Sequence, residues 1–322
     1  MALYLVTGAA GFVGSSIVRE LIRRGEQVRG LDNFETGKRE NLAPVLSHIE
    51  FLEIDIRDEE RLPQAFAGVD YVLHQAALPS VPLSVAKPVR SHTININGTL
   101  NVLLAARDAG VKRVVYAGSS SAYGETLSLP KREDMLPSPV SPYAVQKLTG
   151  EYYMRCFAKI YSLETVCLRY FNVFGPRQDP SSPYSGVMAK FIRQMLAGEA
   201  PTIFGDGQQT RDFTYVDNVV QANLDAAVVS AQGVSGECFN IGTGRQLSLN
   251  FVFETLREIT GFAGNLKYAP PRVGDVRHSQ ADISRARQLL NYSPTISFEE
   301  GLRRTVEWYQ TEAVQNSSVT GS

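Results

Sequence analysis

Short apolar runs alternate with amphipathic stretches through the first half of the chain. The runs are rich in β-branched residues and nearly continuous, which is typical of parallel strands buried on both faces of a sheet. This pattern predicts strands over Leu3–Thr7, Val28–Asp32, Phe51–Asp55, Val69–Gln75, Val114–Ser119 and Thr165–Tyr170. Helices are predicted between them, over Phe12–Arg24, Glu59–Phe66, Thr93–Ala109 and Pro142–Tyr161. Such alternation predicts an α/β fold with a doubly wound parallel sheet.

The pattern changes after about Asn172, where Gly, Pro and Ser become frequent and the regular alternation stops. This change predicts a smaller C-terminal substrate-binding lobe. Val216–Val229 and Cys238–Ile241 still have the pattern of a helix and a buried strand, so the chain is expected to return to the sheet there. Two lobe helices are predicted over Leu249–Thr260 and Asp282–Leu290.

These changes of pattern give the predicted domain boundaries. The first domain takes residues 1–172 and about 212–243, and the lobe takes about 173–211 and 244–311. The last residues, 312–322, are small and polar, and a disordered tail is expected there.

A glycine-rich segment connects the first predicted strand to the first predicted helix. Gly8 allows a tight turn, Gly11 lets the backbone approach a pyrophosphate, and Gly14 lets the helix pack against the strand. The N-terminus of that helix favours an anion. Asp32, at the end of the second strand, can accept hydrogen bonds from ribose hydroxyls and would repel a 2′-phosphate. A Rossmann-type site that prefers NAD to NADP is predicted.

Tyr143 and Lys147 are four residues apart on a predicted helix that begins with Ser141 as N-cap and Pro142 as first residue. Both side chains therefore lie on one face of the helix. A neighbouring ammonium group, a nicotinamide cation and a helix N-terminus all favour a tyrosine phenolate, which could then act as a general base. Ser119, at the end of the fifth strand, supplies a hydroxyl for the same substrate oxygen.

Composition narrows the possible function classes. The 322 residues are 43% hydrophobic and 20% charged, and their formal net charge is -1, so neither disorder nor binding to nucleic acid or membranes is indicated. No uninterrupted apolar stretch reaches the ~20 residues of a membrane span. The apolar start has no basic residue before Arg19, unlike a signal peptide. A soluble, cytoplasmic protein is expected.

The cysteines and histidines have no spacing typical of metal ligands or of a redox pair. Cys156, Cys167 and Cys238 are odd in number and far apart in the sequence, which favours buried thiols in a reducing compartment over a disulfide framework. No structural metal site is predicted.

The chain resembles the extended short-chain dehydrogenase/reductases and, within them, the bacterial UDP-hexose and UDP-N-acetylhexosamine 4-epimerases. The resemblance covers nearly the whole chain and rests on TGAAGFVG, LDNFETG, Asp55-Ile56, LHQAALPSVP, SSSAYG, SPYAVQK, LRYFNVFGPRQ, GDGQQTRDFTYVDN and GDVRHSQADIS. It implies that Tyr143 is the base, that Lys147 holds the nicotinamide ribose and lowers the pKa of the tyrosine, and that Ser119 orients the sugar 4-hydroxyl. It also implies a homodimer that forms through Thr93–Ala109 and Pro142–Tyr161.

The same resemblance implies the residues that contact each ligand. For NAD these are Gly8, Gly11, Phe12, Val13, Gly14, Asp32, Asn33, Thr36, Gly37, Asp55, Ile56, Gln75, Ala76, Ala77, Asn95, Tyr143, Lys147 and Val173. For a UDP-sugar they are Ser80, Ser119, Ser120, Ser121, Tyr143, Asn172, Gln178, Gly186, Val187, Arg211, Arg272, Asp275 and Ser279. The diphosphate would be met by Asn172, Arg211 and Arg272. Arginine suits this role because its planar side chain binds phosphate oxygens in pairs. Asp275 would hold the uridine ribose.

The reaction inferred is inversion at C4 of a UDP-sugar. Tyr143 takes the proton of the C4 hydroxyl while the C4 hydride passes to NAD, and the 4-keto sugar turns over and takes the hydride back on its other face. NAD is therefore expected to stay bound. The small Ser279 leaves room for an N-acetyl group, although Pro79 replaces a glycine expected in enzymes specific for acetylated sugars.

Other activities use related sequences. A 4,6-dehydratase needs an Asp-Glu pair where this chain has Ser120 and Ser121, which argues against dehydration. A UDP-glucuronate 4-epimerase or decarboxylase and another NAD-dependent nucleotide-sugar oxidoreductase remain open alternatives. A non-enzymatic nucleotide-binding protein of this type tends to lose the tyrosine or the lysine, and this chain keeps both.

Overall fold

The computed structural model describes residues 1–126, 128–179, 186–271 and 276–319. Its strands, in chain order, are β1 (Leu3–Thr7), β2 (Gln27–Asp32), β3 (Glu50–Glu53), β4 (Tyr71–His74), β5 (Arg113–Ser119), β6 (Glu164–Tyr170), β7 (Val173–Phe174), β8 (Thr202–Phe204), β9 (Thr210–Arg211), β10 (Thr214–Tyr215), β11 (Glu237–Ile241), β12 (Leu247–Ser248) and β13 (Lys267–Ala269).

The helices are α1 (Phe12–Arg23), α2 (Arg39–Leu42), α3 (Val81–Ala86), α4 (Pro88–His92), α5 (Gly98–Asp108), α6 (Pro142–Ile160), α7 (Val187–Leu196), α8 (Val216–Val228), α9 (Leu249–Thr260), α10 (Ser284–Leu290) and α11 (Phe298–Val319). A π-helical turn, Thr93–Asn97, joins α4 to α5. Short 3-10 turns cover Ala43–His48, Leu62–Phe66 and Ser120–Tyr123. Within the ranges described, no helix is both long and apolar enough to cross a membrane.

Seven parallel strands form the main sheet in the order β3-β2-β1-β4-β5-β6-β11. From β1 the chain builds outward to β3 on one side and then returns to place β4 on the other side. The loops that leave β1 and β4 therefore diverge and open a crevice at the carboxyl ends of these strands, where ligands bind in folds of this class. This arrangement confirms the doubly wound α/β fold.

The sheet is buried on both faces because its strands carry apolar side chains in both directions. Tyr4 and Val6 of β1 belong to a core that includes residues of α1, α8 and the C-terminal segments. Leu5 points the other way, into a core with residues of α5 and α6. Burial on both faces explains why apolar and polar residues do not alternate along β1.

After β6 the chain forms short strand pairs and helices. The strand β7 pairs with β10, β8 with β13, and β9 with β12. Helix α7 packs against α9 and α11. The strand β11 adds to the main sheet beside β6, as the buried pattern of Cys238–Ile241 predicts.

Three predicted elements differ from the structure. The helix predicted over Glu59–Phe66 is a 3-10 turn over Leu62–Phe66, because Pro63 lacks the amide that a longer helix needs. The helix predicted over Thr93–Ala109 is divided at Gly98 into the π-helical turn and α5. The backbone of α11 continues to Val319, whereas the sequence predicts a disordered tail from residue 312.

Candidate active site

The turn between β1 and α1 has the backbone geometry that its glycines predict. Gly8 has a φ of +68, and a Cβ on it would lie 2.7 Å from the Ala76 amide nitrogen. A Cβ on Gly14 would lie 2.0 Å from the Gly8 carbonyl oxygen, so helix and turn are in direct contact. Helix α1 has neither a side-chain cap nor an acidic residue in its first turn, which leaves its amide groups suited to a phosphate. This close-packed turn fits a dinucleotide.

Asp32 lies at the carboxyl end of β2, beside this turn. Its carboxylate accepts hydrogen bonds from the backbone amides of Ala10, at 2.9 Å, and Phe34, at 2.8 Å. Burial raises the pKa of Asp32, and these amides act in the opposite direction. Gly37 is not in contact with the cavity, but a Cβ there would lie 2.8 Å from the Asp32 carboxylate. Asp32 thus both shapes the turn and faces the crevice.

The crevice is a cavity of about 610 Å³ that contains most of the predicted cofactor contacts. The predicted residues that line it are Gly8, Gly11, Phe12, Val13, Gly14, Asp32, Asn33, Thr36, Asp55, Ile56, Gln75, Ala76, Ala77, Ser80, Tyr143, Lys147, Gln178 and Gly186. Near the far wall, the Asn33 amide donates to the Asp55 carboxylate at 2.6 Å. Hydrogen bonds from Arg57 lower the pKa of Asp55. This chain therefore places carboxylates at both Asp32 and Asp55 in the predicted adenosine half.

Helix α6 delivers Tyr143 and Lys147 to the same cavity. The Ser141 hydroxyl caps the helix by accepting from the Ala144 amide at 3.2 Å, and Pro142 is its first residue, as predicted. The Lys147 ammonium group donates to the Ala117 carbonyl at 2.8 Å. The Tyr143 amide donates to the Ser84 hydroxyl at 3.0 Å, which fixes the start of α6 against α3.

Burial controls the protonation of both side chains. It raises the pKa of Tyr143 to about 12, and a hydrogen bond with Ser119 acts in the opposite direction. It lowers the pKa of Lys147 to about 8. A positive charge close to Tyr143 is therefore required before this phenol can serve as a base near neutral pH.

Ser119 ends β5 next to Gly118, which lines the cavity. Its hydroxyl oxygen accepts from the Ser121 hydroxyl at 2.8 Å and from the Ser121 amide at 3.2 Å. Ser120 and Ser121 both belong to the 3-10 turn that follows. Ser121 thus orients Ser119, while Ser120 and Ser121 supply hydroxyls and no carboxylate.

Several predicted residues lie close to the cavity without lining it. Asn95 is buried and accepts from the Leu78 amide at 2.7 Å, so it supports a cavity wall. The Val173 carbonyl accepts from the Gln178 amide group at 3.2 Å. Asn172 has a φ of +25 and donates to the Asp212 carbonyl at 3.2 Å. Val187 begins α7 directly after Gly186.

The residues predicted for the uridine diphosphate form a separate group. Arg211 lies on β9 and donates to the Thr210 carbonyl at 2.9 Å. The Ser279 amide donates to that same carbonyl at 3.1 Å, which brings these two predicted residues together. In the part of the chain that the structure describes, neither lines the 610 Å³ cavity. Arg272 and Asp275 lie outside the described residues.

The structure adds cavity residues that sequence reasoning did not select. These are Leu31, Glu35, Lys38, Asn41, Ile54, Leu78, Leu83, Ile94, Ala117, Gly118, Tyr170, Arg177 and Asp179. Pro79, which replaces an expected glycine, lines the cavity as well. Lys38 pairs with Asp179 at 3.1 Å, and Arg177 donates to the Ser16 hydroxyl of α1 at 2.9 Å. These contacts tie the segment after β7 to α1 and to the segment between β2 and α2. Motif LRYFNVFGPRQ contains Arg177, whereas nothing in the sequence pairs Lys38 with Asp179.

Glu151, Cys167 and Cys238 place possible metal-binding atoms within 4.8 Å of one another. These residues are far apart in the sequence, and no spacing rule predicts this cluster. Arg169, however, donates three hydrogen bonds to Glu151 at 2.7 to 3.2 Å, which already occupy that carboxylate. The Glu151 carboxylate therefore serves an ion pair with Arg169 and is poorly placed to bind a metal ion together with the two cysteines.

Comparison with known proteins gives the family. Residues 4–242 match the NAD dependent epimerase/dehydratase family. The solved UDP-glucose 4-epimerase of Thermotoga maritima with UDP-glucose is 43% identical over 97% of this chain and 99% of its own, with a TM-score of 0.92. The UDP-N-acetylglucosamine 4-epimerase of Methanobrevibacter ruminantium in complex with UDP-N-acetylmuramic acid is 40% identical, with 97% and 99% covered and a TM-score of 0.91.

A third relative, the UDP-glucuronate 4-epimerase of Thermodesulfobacterium geofontis, is 35% identical over 96% of both chains. The two solved structures share the fold of this chain, and the three relatives differ in the sugar that their names give. The family is NAD-dependent, and the glycine turn and Asp32 fit that cofactor. The chain belongs to the NAD dependent epimerase/dehydratase family.

Proposed function

We propose that this enzyme interconverts the C4 epimers of a UDP-linked hexose or N-acetylhexosamine. The observation that carries this proposal is that Tyr143 and Lys147 line one cavity together with the glycine turn and Asp32. The predicted base and the predicted cofactor site thus lie in the same cavity. The three relatives reported above are each named as a 4-epimerase of a UDP-sugar, which supports the reaction type.

Each side chain has a definite task in this reaction. Tyr143 accepts the proton of the sugar C4 hydroxyl and later returns it, and Ser119 holds the same oxygen by a hydrogen bond. Lys147, oriented by the Ala117 carbonyl, contributes the positive charge that favours the phenolate form of Tyr143. NAD, when bound, supplies a reversible acceptor for the C4 hydrogen, and the residues that hold it are those around Gly11 and Asp32. Because the hydrogen returns to the sugar, no net oxidation results.

The acetylated and the plain sugars are both substrates in this proposal. The small side chains of Ser80 and Ser279 and the absence of a side chain at Gly186 support room for an N-acetyl group. Ser80 lines the cavity while its hydroxyl accepts from the Leu83 amide at 3.1 Å to begin α3. Its hydroxyl is thus already engaged, so Ser80 offers space at the wall more than a hydrogen bond.

The decisive experiment is incubation with UDP-Glc, UDP-Gal, UDP-GlcNAc, UDP-GalNAc and UDP-GlcA, each followed by NMR of the products. We expect conversion of the first four into C4 epimers without added oxidant. Exclusive turnover of UDP-GlcA, with or without loss of carbon dioxide, would favour the uronate alternative. Net oxidation of the sugar or loss of water would contradict epimerisation altogether.

We also propose that two copies associate through the faces of α4, α5 and α6. A groove between these helices is lined by Pro88, Val89, Leu100, Pro142, Val145 and Tyr153. Val89 is 75% exposed, Val145 48% and Tyr152 54%, which is unusual for apolar side chains so close together. Analytical ultracentrifugation should show a dimer, and Val89→Asp/Val145→Asp should shift it to monomer. A wild-type monomer at micromolar concentration would contradict the proposal.

We propose that the enzyme is cytoplasmic, and the free thiols support this placement. Cys156, Cys167 and Cys238 are all free, and the Sγ atoms of Cys167 and Cys238 lie within 4.8 Å of each other without a disulfide. Such unbonded thiols suit a reducing compartment. Fractionation of the source cells with an antibody to the protein tests this placement, and recovery outside the cytoplasm would contradict it.

A further inference from the structure

Helix α6 and strand β6 share a buried ion pair behind the catalytic face. Arg169 donates to Glu151 through Nε at 3.0 and 3.2 Å and through Nη2 at 2.7 Å. The two side chains are only 5% and 6% exposed. The Arg169 guanidinium group also lies 4.6 Å from the centre of the Tyr123 ring. Glu151 is therefore held firmly in one position.

That position is close to the reacting centre. Glu151 follows Lys147 by one helical turn, on the same buried face of α6. A Cβ on Gly118 would lie 3.3 Å from the Glu151 carboxylate and 2.7 Å from the Cys167 sulfur. Gly118 stands between Ala117, which accepts from Lys147, and Ser119. The Glu151 carboxylate thus packs against β5 directly behind the residues that orient the reaction.

Stability does not explain this ion pair. Burying two charges costs about as much as their attraction returns, and well-packed apolar residues often replace such pairs without loss. In the described part of the chain, Arg169 Nη1 is buried and has no hydrogen-bond partner, which adds a further cost. A role in the electrostatics of the site accounts for the pair better than packing does.

Lys147 is surrounded by several titratable groups, and Glu151 is the carboxylate among them. Some of these groups face Lys147 and the others belong to the cluster around Glu151. They are His74 on β4, Tyr116 on β5, Tyr143 and Glu151 on α6, Cys167 and Arg169 on β6, and Cys238 on β11. Burial lowers the pKa of His74 to about 3, so its imidazole is neutral. Burial also raises the pKa of the Tyr116 phenol and of the Cys167 thiol well above their ordinary values.

We propose that Glu151 is a positioning residue that acts through Lys147. Fixed by Arg169 behind β5, its carboxylate keeps a negative charge one helical turn from the ammonium group and so preserves the positive charge that Tyr143 needs. The proposal rests on the proposed function for the role of Tyr143. The electrostatic part, which concerns Lys147 alone, can be measured without any turnover.

The direct test follows the titration of Lys147 in the cofactor-loaded enzyme by NMR with 13Cε-labelled lysine, assigned through its absence in Lys147→Arg. Glu151→Gln should lower the pKa of the Lys147 ammonium group by about one pH unit or more, because an opposite charge nearby favours the charged form. Glu151→Asp, which keeps the charge, should restore most of the wild-type value. Cys238→Ser, in the same cluster, should leave it unchanged.

Glu151→Gln leaves Arg169 buried without its partner, so a second variant protects the test against misfolding. Glu151→Gln/Arg169→Gln contains no unpaired buried charge, and it should lower the pKa of Lys147 by less than Glu151→Gln does, because the loss of the Arg169 charge acts in the opposite direction. An unchanged titration of Lys147 in both variants would overturn the inference, even if turnover is lost, because a purely structural role would reduce activity without moving this pKa.

The pH dependence of turnover gives the matching functional result. With less charge on Lys147 at alkaline pH, the upper pH limit of activity should fall in Glu151→Gln and recover in Glu151→Asp. If the titration of Lys147 shifts as expected but no UDP-sugar is epimerised, then the proposed function fails while the electrostatic assignment stands. An upper pH limit that stays in place despite a shifted Lys147 would overturn the role in catalysis.

Discussion

The Asp32 carboxylate accepts a hydrogen bond from the Ala10 amide, in the glycine turn, at 2.9 Å. The residue that is expected to recognise the adenosine ribose therefore also holds the segment that is expected to bind the pyrophosphate. One side chain couples two halves of the cofactor site.

Two substitutions of Asp32 should separate these roles. Asp32→Asn keeps an acceptor for the Ala10 amide but removes the charge that repels a 2′-phosphate, so we expect the preference for NAD over NADP to shrink. Asp32→Ala removes both and should weaken NAD binding by ~10-fold or more, since a hydrogen bond to a charged group contributes ~1.5–3 kcal/mol. Calorimetric titration with both cofactors measures this. Recovery of wild-type protein with mostly NADP bound would contradict the assignment.

Tyr143→Phe should lower turnover by at least ~100-fold, as loss of a general base does, and leave UDP-sugar affinity nearly unchanged. Tyr152 offers a matched control, because it is on the same helix, does not line the cavity, and keeps its ring at the proposed dimer face when it is changed to phenylalanine. Tyr152→Phe should retain wild-type turnover. Stopped assays with NMR detection measure the turnover of both variants, and calorimetry measures their affinity for the UDP-sugar. Wild-type turnover in Tyr143→Phe would show that another group is the base.

Lys147 should make the folded protein less stable near neutral pH. Its pKa of about 8 lies below the ordinary value of 10.5, so the unfolded chain binds more protons between these values and stability rises with pH there. Lys147→Met should therefore raise the free energy of unfolding at pH 7 by ~1–3 kcal/mol. Each pH unit by which burial lowers the pKa of Lys147 corresponds to about 1.4 kcal/mol, and the lost hydrogen bond to the Ala117 carbonyl offsets part of this gain. The gain should diminish as the pH rises from 8 towards 10.5.

Urea denaturation of cofactor-stripped protein at pH 7 and at pH 9.5 measures this effect. Lys112→Met is the control, because Lys112 is 63% exposed and pairs with Asp70, so its loss should not stabilise the fold. We expect Lys147→Met to lose both turnover and cofactor retention at the same time. A lower stability of Lys147→Met at pH 7 would mean that burial does not penalise the ammonium group.

Ser279→Tyr should selectively abolish turnover of acetylated UDP-sugars. The Ser279 backbone is fixed by its amide hydrogen bond to the Thr210 carbonyl, so an aromatic side chain there has to occupy nearby space. Overpacking of this kind typically costs ~1–3 kcal/mol or more. Ser293→Tyr, at an exposed serine, is the control. Equal loss of both reactions, or no acetylated turnover in wild type, would show that Ser279 does not gate the sugar.

The sequence predicts the backbone of the glycine turn and the cap of α6 well because their geometry is local. The glycine turn and the cap of α6 depend on residues a few positions apart, and their backbone conformations follow from residue type. The pairs that depend on tertiary packing were not predicted. Glu151 meets Arg169, and Lys38 meets Asp179, only because the folded sheet and lobe bring distant segments together.

The C-terminal elements were predicted less completely for a related reason. The sequence predicts neither α7 nor α11, although both are amphipathic helices. Their apolar residues pack against other lobe helices, and Gly and Pro in the flanking segments obscure the regular alternation that marks the first domain. Arg272 and Asp275, outside the described residues, keep their predicted roles as hypotheses.

Gly118 limits how this enzyme can be redesigned or can evolve. Any side chain there would meet the Cys167 sulfur at 2.7 Å and the Leu168 carbonyl at 3.1 Å, so the strand that carries Ser119 tolerates no added atom on that side. The cavity wall at Ser80 and the segment that carries Ser279 both lie outside the main sheet. Under the proposed function, a change of sugar specificity would therefore come from the loops, while the strand that carries Ser119 would stay the same from one specificity to the next.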